Sequence, residues 1–285
     1  MRTTSMRDLR SRLSISTATV VIAGLLIWLS PYPLIGILIA CLIATLAAVG
    51  VWEYARLAEA KNFHPDSKLM IVVAVAEVIS FYFSQRNASY YFWPLIVFYL
   101  GSVLFFLAHF RHSYKALAQI AIEVFGIIYI AIPLCFMLGV LYPNAPQDGR
   151  WWLMYLIVTT KITDVGAYFV GRLFGKRKLA PLLSPKKTIE GAVAGFLCTV
   201  IASLAMAWVG QNFLKGSFDL SWIQAIWLSV IIAILAQLGD LAESLLKRDA
   251  FVKDSNRLPG LGGVLDVVDS LLFTAPVVYF YLSMS

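Results

Sequence analysis

Apolar residues run through this chain in long unbroken blocks. Nine of them, each roughly the 17–25 residues a helix needs to cross a bilayer core, fall at 14–30, 33–51, 68–84, 89–109, 117–141, 150–171, 188–209, 222–247 and 263–284. The blocks are continuously apolar, whereas the strands of a membrane barrel alternate apolar and polar positions, so the pattern predicts helices. The polar connections between them are short. The expectation is an all-α, polytopic membrane protein with about nine transmembrane helices. They form a single integral membrane domain over 1–285, with N-terminal spans in 1–150 and chemistry-bearing spans and cytoplasmic loops in 151–285.

Composition agrees with this pattern: 60% of residues are hydrophobic and 14% charged, and mean hydropathy is +0.79. The basic stretch MRTTSMRDLRSRLSIS precedes the first block, as it would in a signal peptide. No small-residue cleavage site stands near Ser30-Pro31-Tyr32-Pro33, and more spans follow, so an uncleaved first span is expected. Cys41, Cys135 and Cys198 lie far apart inside apolar blocks, which fits packing and neither a disulfide framework nor a metal site.

A net charge of +7 raises the question of nucleic acid, but its distribution points to membrane orientation. With a cytoplasmic N-terminus and nine spans, every Lys and Arg except Arg86, Arg150, Lys161 and Lys215 falls on the cytoplasmic side, 19 of 23. Positive residues mark that side, and no nucleic-acid partner is expected.

Acids inside apolar spans are costly and mark function by default. Asp240, Glu243 and Lys247 are spaced i, i+3, i+7 on one helix face. Asp266 and Asp269 open the last span, and Asp164 sits in the sixth, within KITDVGAYFVGRLFGK. All five acids fall in the cytoplasmic half of the membrane, where three helices could gather them around one cavity. Hard oxygen ligands without His or Cys suit Mg²⁺ or Ca²⁺. The alternative is a set of interhelical salt bridges, for example Asp164 or Glu243 with Lys161.

A second cluster is FGKRKLAPLLSPKKTIEG, residues 174–191. Pro185 fits a turn, and Thr188 could cap the helix that follows. Lys186 and Lys187, with the hydroxyls of Ser184 and Thr188 and the backbone N–H groups of that helix start, would suit a phosphate; a polybasic loop facing lipid headgroups is the other reading. Third, Gly260, Gly262 and Gly263 let the backbone between Lys253-Asp254 and Asp266 approach a ligand closely. Gly191 and Gly195, four apart, fit close helix packing. Glu77 and Glu123 lie in spans without an obvious partner. His64, His109 and His112 read as interfacial residues. Trp52, Trp93, Trp151, Trp152 and Trp222 read as an aromatic belt.

Several ordered motifs resemble the phosphatidate cytidylyltransferase (CDP-diacylglycerol synthase) family. They are Asp164-x-x-Ala-Tyr168-x-x-Gly171, Phe174-Gly175-Lys176, Ser184-Pro-Lys-Lys-Thr-x-Glu190-Gly191 and Gln237-Leu-Gly-Asp240-Leu-x-Glu243-Ser244-Leu-Leu-Lys247-Arg248. Lys253-Asp254, Pro259-Gly-x-Gly-Gly263, Leu265-Asp266 and Asp269-Ser270 complete the set, which covers residues 160–275; over 1–150 the likeness rests on hydrophobic spans alone.

The resemblance implies a membrane enzyme that makes CDP-diacylglycerol and pyrophosphate from CTP and phosphatidic acid with Mg²⁺, in a bacterial inner membrane; a homodimer is left open. It implies Asp164, Asp240, Asp266 and Asp269 as metal and catalytic acids, with Glu243 supporting at the metal and Lys253 among the catalytic residues. It implies Lys186, Lys187, Lys247, Arg248 and Lys253 as phosphate contacts, Ser184 and Thr188 as lesser ones, and Gly260, Gly262 and Gly263 as the substrate-binding backbone. Two positions depart from the family: Leu261 stands where His is common and Val267 where Arg is common. A cation-coupled transporter and a CTP-dependent lipid kinase are the competing readings.

Overall fold

The computed structural model describes residues 21–110, 114–143, 146–214, 216–252 and 263–284. Helix α1 (21–28) is followed by α2 (Pro33–Glu59), α3 (Ser67–Arg86) and α4 (Trp93–His109). Helix α5 (Ala116–Gly126) continues through a π-helical turn (Ile127–Ala131) into α6 (Ile132–Leu141). Helices α7 (Gly149–Phe174), α8 (Ile189–Phe213), α9 (Trp222–Asp249) and α10 (Val264–Met284) complete the bundle.

Among the described residues, eight segments are long and apolar enough to cross a membrane: Pro33–Glu59, Ser67–Arg86, Ala88–His109, Ala116–Leu141, Gly149–Phe174, Ile189–Phe213, Trp222–Asp249 and Val264–Met284. They correspond to the second through ninth expected spans. The first, 14–30, lies largely outside the described residues, and its described part, 21–28, is helical. The protein is a polytopic, multi-pass integral membrane protein.

Local chemistry sets the helix ends. Proline occupies the first turn of α2 and α4, where its missing N–H costs nothing at a free helix end. Asp66 caps α3, and Ser221 with Gln224 forms a capping box on α9. Pro133 has no N–H to return to the Tyr129 carbonyl, and the widened turn sits just before it, with Ile132 N–H donating to Ile127 O.

The stretch after α7 is more regular than expected. It forms an antiparallel hairpin, β1 (Lys178–Ala180) and β2 (Ser184–Thr188), with Lys178 opposite Thr188 and Ala180 opposite Ser184. Pro185 therefore sits in a strand, not a turn. Thr188 ends β2 and caps α8, accepting from the Gly191 N–H at 3.2 Å.

Small residues let α7 and α8 lie backbone to backbone. A Cβ on Gly195 would stand 2.6 Å from the Thr163 carbonyl oxygen, and one on Gly191 2.6 Å from that of Ala167. Hydroxyl pairs lace the same region: Thr163 to Thr199 at 2.6 Å, Tyr155 to Ser203 at 2.8 Å and Thr160 to Thr274 at 2.9 Å. Close packing and such bonds, rather than oil leaving water, hold helices together in lipid. Trp152 departs from the expected belt: it is fully buried, with its indole N–H donating to Gln147 Oε1 at 2.6 Å. Trp93 and Trp222 are exposed.

Candidate active site

Four elements meet at one end of the bundle. Helix α9 presents Asp240, Glu243 and Lys247 on one face, as their spacing requires. Helix α10 brings Asp266 and Asp269 in its first two turns. Helix α7 contributes Lys161 and Asp164, and β2 contributes Lys186 and Lys187.

The acids are drawn together and paired with lysines from other positions. Lys187 Nζ lies 2.5 Å from Asp240 Oδ2. Lys247, buried, lies 2.6 Å from Glu243 Oε1 and donates to Asp266 Oδ1. Lys161 Nζ lies 3.8 Å from Asp164 Oδ2 and donates to the Val267 carbonyl at 2.9 Å. Lys161 thus meets Asp164 within α7 rather than as the interhelical bridge of the alternative reading, and Glu243 takes Lys247. A cation stands beside position 267 even though its own side chain is valine.

Ser270 joins two of the acids. Its hydroxyl lies 3.2 Å from Asp164 Oδ2 and 3.1 Å from Asp269 Oδ1, while its N–H donates to Asp269 Oδ1 at 2.5 Å. Asp269 interacts electrostatically with Asp240 and Asp164, and Glu243 with Asp269 and Asp240. Asp164, Asp240, Glu243 and Asp269 therefore belong to one electrostatic cluster spread over three helices, and Lys247 ties Asp266 to it through Glu243.

A cavity of about 610 Å³ opens beside this cluster, a size typical of small-molecule pockets. Asp164 and Asp240 line it together with Arg172, Lys178, Lys186 and Lys187, and Lys187 is paired with Asp240 at its wall. Thr188 also faces it, as do Tyr168 and Gln237. It is a pocket lined by two carboxylates and four cationic side chains, suited to a polyanion that also needs charge neutralisation.

Other expected contacts are engaged elsewhere. Arg248 Nε donates to the Leu183 carbonyl at 3.1 Å, tying the end of α9 to the hairpin turn. Gly263 N–H donates to Asp266 Oδ2 at 3.1 Å. Lys253, Asp254, Gly260, Leu261 and Gly262 lie outside the described residues. Of the acids without an expected partner, Glu123 has two: His109 Nε2 at 2.9 Å and the Asp66 N–H at 2.7 Å. Glu77 Oε2 remains without a hydrogen bond.

Sequence reasoning named Tyr168 and Gln237 only as motif positions and did not single out Arg172 or Lys178 for the cavity. Arg172 and Lys178 were counted as topology signals; their spacing from Asp164 and Lys187 was the available clue. It also passed over Glu53, which closes the second apolar block in Trp52-Glu53-Tyr54 and reads as a span end. Its carboxylate accepts from Val264 and Leu265 N–H, at 2.9 Å each.

Fold and site define an integral membrane protein with an acid-and-lysine cluster at one end of its helix bundle, beside a cavity of ligand size. The sequence model of the cytidylyltransferase family matches residues 10–285. The chain is 33% identical to a phosphatidate cytidylyltransferase of Chlamydia pneumoniae over 293 aligned positions, covering 99% of this chain and 94% of that protein. It is 30% identical to the Chlamydia muridarum phosphatidate cytidylyltransferase, covering 95% of this chain and 92% of the relative. Over 156 positions, 54% of this chain and 56% of the relative, it is 42% identical to that of Bacillus subtilis. The chain belongs to the cytidylyltransferase family.

Proposed function

We propose that the protein is a phosphatidate cytidylyltransferase, converting CTP and phosphatidic acid to CDP-diacylglycerol and pyrophosphate. The observation that carries this reading is a single cavity lined by Asp164 and Asp240 together with Arg172, Lys178, Lys186 and Lys187. A phosphate oxygen of the lipid attacks the α-phosphorus of CTP. The bond from that phosphorus to the bridging oxygen breaks, and pyrophosphate leaves with the electron pair. No protein nucleophile is needed.

Both reactants are anionic, so the first task of the site is to hold them together. Lys186 and Lys187, with Arg172 and Lys178, supply fixed positive charge where phosphates would lie and where charge grows on the leaving group. Asp164, Asp240, Asp266 and Asp269 are the acids we assign to the reaction, with Glu243 supporting. Ser184 and Thr188 are lesser contacts on the hairpin. Lys247 fixes Asp266 relative to α9 through its paired carboxylates.

The donor set of Asp240, Glu243, Asp266 and Asp269 is oxygen only, which fits Mg²⁺ by its chemistry. Glu243 Oε1 is buried and, despite its ion pair with Lys247, has no aligned hydrogen bond. Among the described residues no three such groups are gathered closely enough to hold an ion; Lys187 and Lys247 stand among them and would have to give way. When bound, Mg²⁺ would supply charge neutralisation for the phosphates.

The basic hairpin and α9 end belong, on this reading, to the cytoplasmic side of a bacterial inner membrane, with the N-terminus on the same side. CTP arrives from water there, and the lipid enters from the bilayer.

Purified protein given phosphatidic acid, Mg²⁺ and CTP labelled in the cytosine ring should place the label in lipid and release pyrophosphate. Lipid phosphorylated from the γ-position of CTP without cytidine would identify a kinase instead. No reaction under conditions that keep the chain folded would remove the proposal and leave a transporter to test.

A further inference from the structure

We infer that Glu53 is a positioning residue for the catalytic acids of α10, an inference that rests on the function proposed above. Glu53 lies on α2, more than two hundred positions before the residues it holds, and is fully buried. Its Oε1 accepts from Val264 N–H and its Oε2 from Leu265 N–H, both at 2.9 Å. These are the first two N–H groups of α10.

A helix start leaves its first N–H groups without partners, and a Ser, Thr, Asp or Asn at the cap normally answers them. Here the preceding residue is Gly263, which has no side chain. The capping is divided between two carboxylates. Asp266 reaches back to Gly263 N–H at 3.1 Å, and Glu53 takes the next two from another helix. Among the described residues no Lys or Arg pairs with Glu53, so its charge is met by the backbone and the positive end of the helix.

The contact is built into the packing of α2. Gly50 lies one turn before Glu53 on the same face. A Cβ there would stand 3.5 Å from Leu265 Cδ2 and 3.0 Å from Ile130 Cγ2. The tighter contact is with Ile130 of the π-helical turn, and the ordinary contact distance to Leu265 shows α2 lying directly against the start of α10, within reach of a glutamate side chain. Since Asp266 and Asp269 lie within the first two turns of α10, the carboxylate that fixes the helix start also fixes their depth and rotation beside Asp240 and Lys247.

The test compares the full-length protein with Glu53→Gln and Glu53→Asp variants in phosphatidic acid micelles. Gln keeps the shape but can accept only one of the two N–H groups; Asp keeps the charge on a shorter arm. The expected result for Glu53→Gln is a kcat lower by about tenfold or more at unchanged KM for the lipid, with a melting temperature near that of the unaltered protein. Amide hydrogen exchange should be faster at 264–270. Glu53→Asp should recover part of kcat. An unaltered kcat, or activity that falls only with the folded fraction while exchange at 264–270 stays the same, overturns the inference. If Glu53→Gln does not fold, Glu53→Asp is judged by the same two readings. If the unaltered protein forms no cytidylylated lipid, the proposed function fails, and the exchange measurement still decides whether Glu53 holds α10.

Discussion

Lys187 Nζ and Asp240 Oδ2 stand 2.5 Å apart and join the hairpin to α9 at the cavity wall. Each side chain is half-buried, so the pair is neither a loose surface contact nor a sealed one. Removing either partner exposes the other to a polyanionic substrate with its charge unbalanced. Lys187→Met and Asp240→Asn should each lower kcat/KM by about a hundredfold, and the double variant should fall short of the product of the two losses. A double-mutant cycle on initial rates measures this, with a coupling of about 0.5–3 kcal/mol expected for residues in contact. Independent effects would show that the pair does not act as a unit.

Lys247 serves two carboxylates at once, Glu243 and Asp266. Lys247→Met leaves both without their cation in a site largely closed to water. Breaking such an arrangement costs about 3–5 kcal/mol, so the variant should melt well below the unaltered protein in detergent. An unchanged melting temperature would mean that the acids find other partners.

The α7–α8 seam predicts intolerance to added volume. In Gly195→Val the new Cβ meets the Thr163 carbonyl, and backbone cannot step aside as a side chain can. The helices must separate, at a cost of about 1–3 kcal/mol, and Asp164 on α7 moves away from Lys187 at the foot of α8. Lower thermal stability and lower turnover should appear together. An equally large change on the outward face of α8, such as Leu197→Ala, should leave turnover alone, because Leu197 is exposed.

Asp148 gives a pH dependence away from the site. Burial alone would raise its carboxyl, but hydrogen bonds from the Arg150 side chain and backbone outweigh this and its pKa lies below the ordinary carboxylate value. A depressed folded-state pKa contributes stability above the unfolded value, near 3.9, and loses it as pH falls through the folded one. Asp148→Asn should therefore lower the melting temperature at neutral pH by an amount equivalent to about 1 kcal/mol or less. The difference should shrink as pH drops below about 4. A gap that persists in acid would assign the effect to helix capping instead.

The spans after the first were legible because a helix in lipid must be apolar over its whole length, which leaves a plain mark in sequence. The acids were legible because charge is so costly there: Asp164, Asp240, Glu243, Asp266 and Asp269 all reach one cluster. What sequence could not show was who neutralises them. Lys247 and Arg248 are neighbours, yet one is buried between two acids and the other holds the Leu183 carbonyl. That choice depends on where the hairpin folds back, and three- and five-residue strands carry little pattern. Glu53 was hidden for a related reason: a charge at the edge of an apolar block looks like the end of a span until the helix is seen to run on to Glu59.

The π-helical turn at Ile127–Ala131 constrains how the fourth of the eight described spans can change in length. Each residue of an α-helix turns it by about 100°, and the extra residue held in the wide turn is what reconciles the two halves of the span. Excising one residue there would wind the segment regularly and swing Leu134 and Leu138, now fully buried, toward lipid, or else swing Glu123 out of reach of His109. An odd insertion of this kind is hard to lose once both halves have packed against it, and relatives without it would need a different surface on every neighbour.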